Sequence, residues 1–227
     1  MTIRNPQSAI RDPREWGLYL VTDRHQAEGR DLVEVVECAV QGGVRAIQLR
    51  EKDLDTVTQY RLAERLLPTV REAGAALLIN DRVDLALGVG AAGVHLTRKS
   101  LPPREARALL GPGRLLGISC HSLADVREAA EGGVDFLVLG PVYATPSKAP
   151  YGPPIGLTAV REARALTSLP IIAIGGIKAA QVPEVVAAGA DGIAAISAVV
   201  AAPDPGAAAR ELLDAVARAK ATGRSGD

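Results

Sequence analysis

Apolar residues in this chain fall into short continuous runs, separated by longer stretches in which they recur at helical spacing. The runs predict eight strands: Leu18–Thr22, Ala46–Arg50, Ala75–Asn80, Gly93–Leu96, Leu115–Cys120, Phe136–Gly140, Ile171–Gly175 and Gly192–Ser197. The intervening spacing predicts helices over 31–41, 54–73, 82–89, 102–110, 122–131, 156–167 and 179–188, with a last one over 205–219. Strands alternating with helices imply βαβ units and a parallel sheet. Runs such as LLGIS and FLVLG are apolar throughout, as expected of parallel strands covered by helices.

A junction recurs before every second strand. It reads AVQGGVRAIQL at 39–49, LGVGAAGVHL at 87–96, AAEGGVDFLVL at 129–139 and VAAGADGIAAI at 186–196. In each, a helix is expected to end on Gly42, Gly90, Gly132 or Gly189, where a left-handed residue costs glycine little. The intervals between these glycines, 48, 42 and 57 residues, each hold two βα units. Four double units make an α/β fold of the (βα)8 TIM-barrel type, and such repeats are strong signals of architecture. The alternative is an open doubly wound sheet, but no G-x-G-x-x-G follows the first strand. No linker divides the chain, so the expected organisation is one barrel domain over 15–220, with tails at 1–14 and 221–227. The Pro-rich stretch 141–156 is expected to be a long loop after the sixth strand, of the kind that forms lids and binding loops.

Composition narrows the function classes. The chain has 227 residues, 48% of them apolar, enough to bury roughly 70% of the unfolded surface. Lys plus Arg and Asp plus Glu are 26 each, so the basic footprint of a nucleic-acid binder is missing. Aromatics are only 3%. The two cysteines, Cys38 and Cys120, form neither a disulfide framework nor a C-x-x-C pair. Residues 1–14 carry no apolar signal-peptide core. The most apolar run, Ile193 to Ala202, is half the length of a membrane span. These features predict a cytoplasmic protein with small-molecule partners and no nucleic-acid or membrane partner; homo-oligomer formation is compatible with them.

In a (βα)8 barrel the active site lies at the C-terminal strand ends. Period-two alternation puts Gln48, Arg50 and Lys52 on one side of the second strand's end, a donor cluster suited to pyrophosphate. The competing reading pairs Arg50 and Lys52 with Glu51 and Asp53 on the rim. After the third strand come Asn80 and Asp81. Asp81 fits two roles, N-cap of the next helix or hard oxygen ligand to Mg²⁺. His95 reads as a hydrogen-bonded structural residue. His121, at the rim after the fifth strand, fits structural and catalytic roles equally, and Cys120 reads as packing. Gly175, Gly176 and Ser197 stand after strands seven and eight, where barrels often hold a phosphate on backbone N–H groups.

The stretches LYLVTD, QLREKD, INDRVDLAL, GVHL, LGISCHS, LGPVYATPSK, AIGGI and AGADGIAAIS resemble the thiamine phosphate synthase and thiazole tautomerase superfamily over almost the whole chain. The synthase resemblance implies coupling of 4-amino-5-hydroxymethyl-2-methylpyrimidine diphosphate to a thiazole phosphate, giving thiamine phosphate and pyrophosphate. It implies that Gln48, Arg50, Lys52 and Asn80 hold the pyrimidine diphosphate, that Asp81 binds one Mg²⁺ per subunit, and that Ser119 lies against the pyrimidine. Thr145, Ser147 and Lys148 would reach the diphosphate and thiazole; Gly176, Ile196 and Ser197 would carry the thiazole phosphate. Arg50, Lys52 and Lys148 would then be the catalytic cations. One departure stands out. Synthases usually read Gly-Gln-x-Asp after the fourth strand, the Asp being a second Mg²⁺ ligand; here the segment is Thr97-Arg98-Lys99-Ser100. The tautomerase reading would need no metal and would use His121 as acid and base. A non-catalytic regulatory paralogue is the third reading.

Overall fold

Side-chain alternation divides each strand between two cores, and that division closes the sheet. In the computed structural model, which describes residues 12–145 and 153–223, the strands are β1 (Leu18–Val21), β2 (Ala46–Leu49), β3 (Ala76–Asn80), β4 (Gly93–Leu96), β5 (Leu115–Cys120), β6 (Phe136–Leu139), β7 (Ile171–Ile174) and β8 (Gly192–Ala195). They pair in parallel in chain order, and β8 pairs with β1 to close the barrel. The fold is a (βα)8 TIM barrel.

Outside it run α1 (Leu32–Gln41), α2 (Thr56–Glu72), α3 (Val83–Val89), α4 (Pro103–Leu110), α5 (Leu123–Glu131), α6 (Gly156–Leu166), α7 (Val182–Ala187), α8 (Ser197–Val200) and α9 (Pro205–Gly223). Outward residues such as Leu18, Leu20, Ile47, Leu77 and Ile193 meet the buried faces of these helices in one cluster. Inward residues, among them Tyr19, Ala46, Ala76, Leu78, Phe136 and Ile172, fill the barrel with Trp16. The scarce aromatics are concentrated there: Trp16 stacks edge-on to Phe136 with centroids 4.9 Å apart, and Tyr19 does so at 5.6 Å.

That plug explains a glycine. A Cβ on Gly117 would lie 2.2 Å from Phe136 Cζ, in a ring already hemmed in by Trp16, Tyr19 and His95. Overpacking of this kind costs about 1–3 kcal/mol. Gly117→Ala is therefore expected to lower the melting temperature by roughly 2–12 °C in a thermal scan, given about 2–4 °C per kcal/mol at this size. Adding Phe136→Leu, which makes room for the new methyl group, should recover part of the loss; a double variant no more stable than Gly117→Ala would refute the packing argument.

Several boundaries differ from expectation, each for a local reason. Of the four junction glycines, Gly90 and Gly189 are left-handed as expected, but Gly42 and Gly132 stay helical. At those two junctions a second glycine follows, and Gly43 and Gly133 make the turn instead. The eighth strand stops at Ala195, because Ile196 leaves the extended conformation and Ser197 opens α8. The 179–188 stretch splits into a single 3-10 turn and then α7, where Pro183 sits in the first turn, the place that tolerates a missing N–H. The last helix continues past 219 to Gly223.

Candidate active site

The polar residues converge at the C-terminal ends of β2 to β5. Glu51, just beyond β2, is almost fully buried; its carboxylate accepts from Thr22 Oγ1 at 2.7 Å and from the Arg24 backbone N–H at 3.1 Å. The Arg24 guanidinium bridges Glu51 at 3.2 Å and Asp53 at 2.5 Å, and this pairing holds the Asp53 carboxyl well below the usual carboxylate range. Arg24 thus occupies both acidic groups that could have neutralised Arg50. Among the described residues Arg50 takes no carboxylate partner, and its backbone N–H is held by Thr22 Oγ1 at 2.9 Å. The competing rim-pair reading of Arg50 fails because Arg24, on the β1–α1 loop, reaches those carboxylates first. Arg24, Thr22 and Glu51 were not legible as site residues; the only available signal was the second acid in the R-E-K-D run.

Deeper in the barrel, Gln48 Nε2 donates to the Tyr19 hydroxyl at 3.2 Å. His95 Nδ1 lies 3.5 Å from that hydroxyl, and His95 Nε2 lies 2.9 Å from Ser119 Oγ. His95 is 1% exposed. Burial, and after it the nearby Arg50 charge, push its pKa down to about 3, so the ring is neutral. Asn80, opposite His95 in the β3–β4 register, has a buried Oδ1 with no hydrogen-bond partner. Among the described residues it is thus an orphaned buried acceptor, which is costly unless something donates to it.

Asp81 follows with φ +69°, a left-handed conformation that Asp tolerates better than most residues. It does not cap α3. That position belongs to Arg82, which makes no side-chain cap hydrogen bond, and the left-handed turn takes Asp81 out of the capping geometry. Its own N–H is tied to the His95 carbonyl at 2.8 Å. Ser100, across the β4–α4 loop, accepts from the Thr97 N–H at 2.8 Å and closes a tight turn. Arg98 pairs with Asp125 at 3.2 Å, so its charge is matched on the β5–α5 side rather than standing bare beside Asp81. Among the described residues no group of three His, Cys, Asp or Glu side chains could hold a metal ion by itself. The donor set fits Mg²⁺ only with additional oxygens from water and a phosphorylated ligand, which is a common way for Mg²⁺ to bind.

His121 is exposed at the rim. Its Nδ1 donates to the Gly140 carbonyl at 2.5 Å, and its backbone N–H to Asp125 at 2.8 Å. Cys120 is buried, and desolvation pushes its thiol up to about 12, in keeping with packing. Gly175 and Gly176 both have positive φ; a Cβ on Gly176 would lie 2.7 Å from the Ala144 carbonyl. They therefore let the start of the β6–α6 loop close over β7. Ser197 is exposed at the start of α8, next to Ile196, whose carbonyl already accepts from the Val199 and Val200 N–H groups. Thr145 ends the described part of the β6–α6 loop; Ser147 and Lys148 lie outside the described residues. The cavity at the opposite end of the barrel, about 490 Å³ and lined by Leu67, Leu77, Arg114 and Leu115 among others, is on the face that serves stability in these folds.

A closed parallel barrel with a guanidinium that has no carboxylate partner among the described residues, amide groups and a carboxylate at its C-terminal strand ends defines a (βα)8 enzyme. The family model described as thiamine monophosphate synthase matches residues 18–199, and this chain belongs to that family. A relative from Geobacter sulfurreducens is 53% identical over 88% of this chain and 93% of its own length. A thiamine-phosphate synthase from Albidiferax ferrireducens is 48% identical over 88% of this chain and 92% of its own. The solved thiamine phosphate pyrophosphorylase from Pyrococcus furiosus superposes with a TM-score of 0.83 at 36% identity, covering 92% of this chain and 98% of that one.

Proposed function

We propose that the protein is a transferase of thiamine biosynthesis, a thiamine-phosphate synthase that joins the pyrimidine diphosphate to the thiazole phosphate and releases pyrophosphate. The observation that carries this reading is the pairing at the end of β2: Arg24 binds both Glu51 and Asp53, and among the described residues Arg50 pairs with neither and is left to meet an anion. In this reading Gln48, Asn80 and Ser119 orient the aminopyrimidine, Arg50, Lys52 and Lys148 stabilise charge on the departing diphosphate, and Thr145 and Ser147 line the same anion's path. Gly176, Ile196 and Ser197 hold the thiazole phosphate. The electron-rich pyrimidine expels pyrophosphate, and the thiazole nitrogen captures the resulting carbon centre. Such chemistry needs charge stabilisation and alignment of two reactants rather than a protein nucleophile.

Asp81 would hold Mg²⁺, which when bound neutralises diphosphate charge. With Ser100 in place of a second carboxylate, the metal should be held more weakly than by two acids. Ser100→Asp is therefore expected to lower the Mg²⁺ concentration that gives half-maximal thiamine phosphate formation. The Thr97 N–H can still be accepted by the new carboxylate, so the loop should keep its turn. Lys99 can pair with the new acid, and Arg98 can exchange Asp125 for it, so a triple variant also replacing them should show the larger gain. The same assays should include isomerisation of a thiazole carboxylate phosphate without metal. Isomerisation that is lost in His121→Ala, with no thiamine phosphate formed at any Mg²⁺ level, would replace the synthase reading with the tautomerase one.

A further inference from the structure

The synthase reading leaves His95 and Tyr19 without a task, although together with Gln48 and Ser119 they form one continuous chain across the barrel interior. We infer that Tyr19 and His95 are positioning residues whose hydrogen-bond relay fixes which way Gln48 and Ser119 present donors and acceptors to the substrate's pyrimidine edge. The inference rests on that reading for the identity of the substrate.

The direction follows from counting protons. Gln48 Nε2 donates to the Tyr19 oxygen at 3.2 Å. A phenol has one proton, and with its oxygen accepting from Gln48 that proton goes to His95 Nδ1, the long link at 3.5 Å. A neutral imidazole that accepts at Nδ1 carries its proton at Nε2. Nε2–H then donates to Ser119 Oγ at 2.9 Å, and the serine's own proton is left to donate into the barrel mouth. At the other end, Gln48 has committed an amide N–H to Tyr19, which leaves its Oε1 as an acceptor. Asn80 adds the buried, unpartnered Oδ1. The strand ends of β2, β3 and β5 therefore offer two amide acceptors and one hydroxyl donor. That set complements an amino group next to an aromatic ring nitrogen, and opposes an oxo group next to a ring N–H. With the relay reversed, Ser119 would donate to His95 Nε2 and offer the mouth only an acceptor, Tyr19 would donate to Gln48 Oε1 and turn its amide N–H groups toward the substrate, and the preference would be lost.

The test reads the relay directly and then its consequence. Nitrogen-15 spectra of the full chain, labelled at its three histidines, should show His95 with a protonated Nε2 and a hydrogen-bonded, unprotonated Nδ1. Tyr19→Phe should move the Nδ1 signal of that ring, and Ser119→Ala its Nε2–H signal, while His25 and His121 stay put. In turnover, kcat/KM for the aminopyrimidine diphosphate over its oxo counterpart should fall about tenfold in Tyr19→Phe, the worth of one hydrogen bond. A merely structural role would lower both substrates together. A wild-type His95 carrying its proton on Nδ1, an Nδ1 signal indifferent to Tyr19→Phe, or an unchanged substrate ratio would each overturn the relay. Because the spectra of the wild type and of Ser119→Ala need neither turnover nor the tyrosine variant, a chain that shows the relay but acts on neither pyrimidine would leave the relay standing and sink the synthase reading instead.

Discussion

Arg50→Ala is expected to reduce thiamine phosphate turnover by about 10²–10³, the usual effect of removing a donor aimed at charge that develops in the transition state. The large effect follows from the site's arrangement. Arg24 has already taken Glu51 and Asp53, so among the described residues no carboxylate is paired with Arg50, and its guanidinium is available to the diphosphate. The fold should tolerate the change, because Arg50 sits at the strand end and its backbone N–H, which the substitution keeps, is held by Thr22, while among the described residues its side chain has no carboxylate partner. Lys52→Ala should act in the same direction. Turnover and melting temperature measured side by side decide the matter: if both variants kept full turnover, the diphosphate would have to bind elsewhere in the barrel.

Glu51→Ala should be the most damaging change to stability near the site. Its carboxylate accepts from Thr22, from the Arg24 backbone and from the Arg24 guanidinium, with the side chain 1% exposed. Breaking a buried pair by removing one partner costs about 3–5 kcal/mol. Arg24 is still 30% exposed and keeps Asp53, so the lower end, about 3 kcal/mol, is expected, or a fall of roughly 6–12 °C in melting temperature. Turnover should fall as well, since Thr22, which holds the Arg50 backbone, loses its own partner. A variant that melts like the wild type would show that Arg24 and Thr22 find equivalent partners, and that the network is not what sets the end of β2.

The barrel itself was legible because it is written in local terms. Continuous apolar runs, helical spacing between them and paired glycines at the junctions are properties of neighbouring residues, and each βα unit follows from its own stretch of chain. Asp31, Asp55 and Ser122 cap the first, second and fifth helices through bonds reaching only two or three residues. The errors were local as well: which glycine of a pair turns left-handed depends on how the next strand must be entered, and the end of β8 depends on the backbone at Ile196.

The sequence by itself determined the closed α/β architecture, the family and which residue types gather at the strand ends. Only the tertiary structure decided their partners. Nothing in the order of residues says that Arg24 rather than Arg50 meets Glu51 and Asp53, that Asp81 forgoes capping, that Arg98 turns to Asp125, or that His95 joins Tyr19 to Ser119. These pairings join residues 24 to 76 positions apart. Closure of the barrel brings those residues within hydrogen-bond distance, and for the buried Glu51, Tyr19 and His95 there is no water to fall back on, so the choice of partner is settled by geometry in space and not by spacing along the chain.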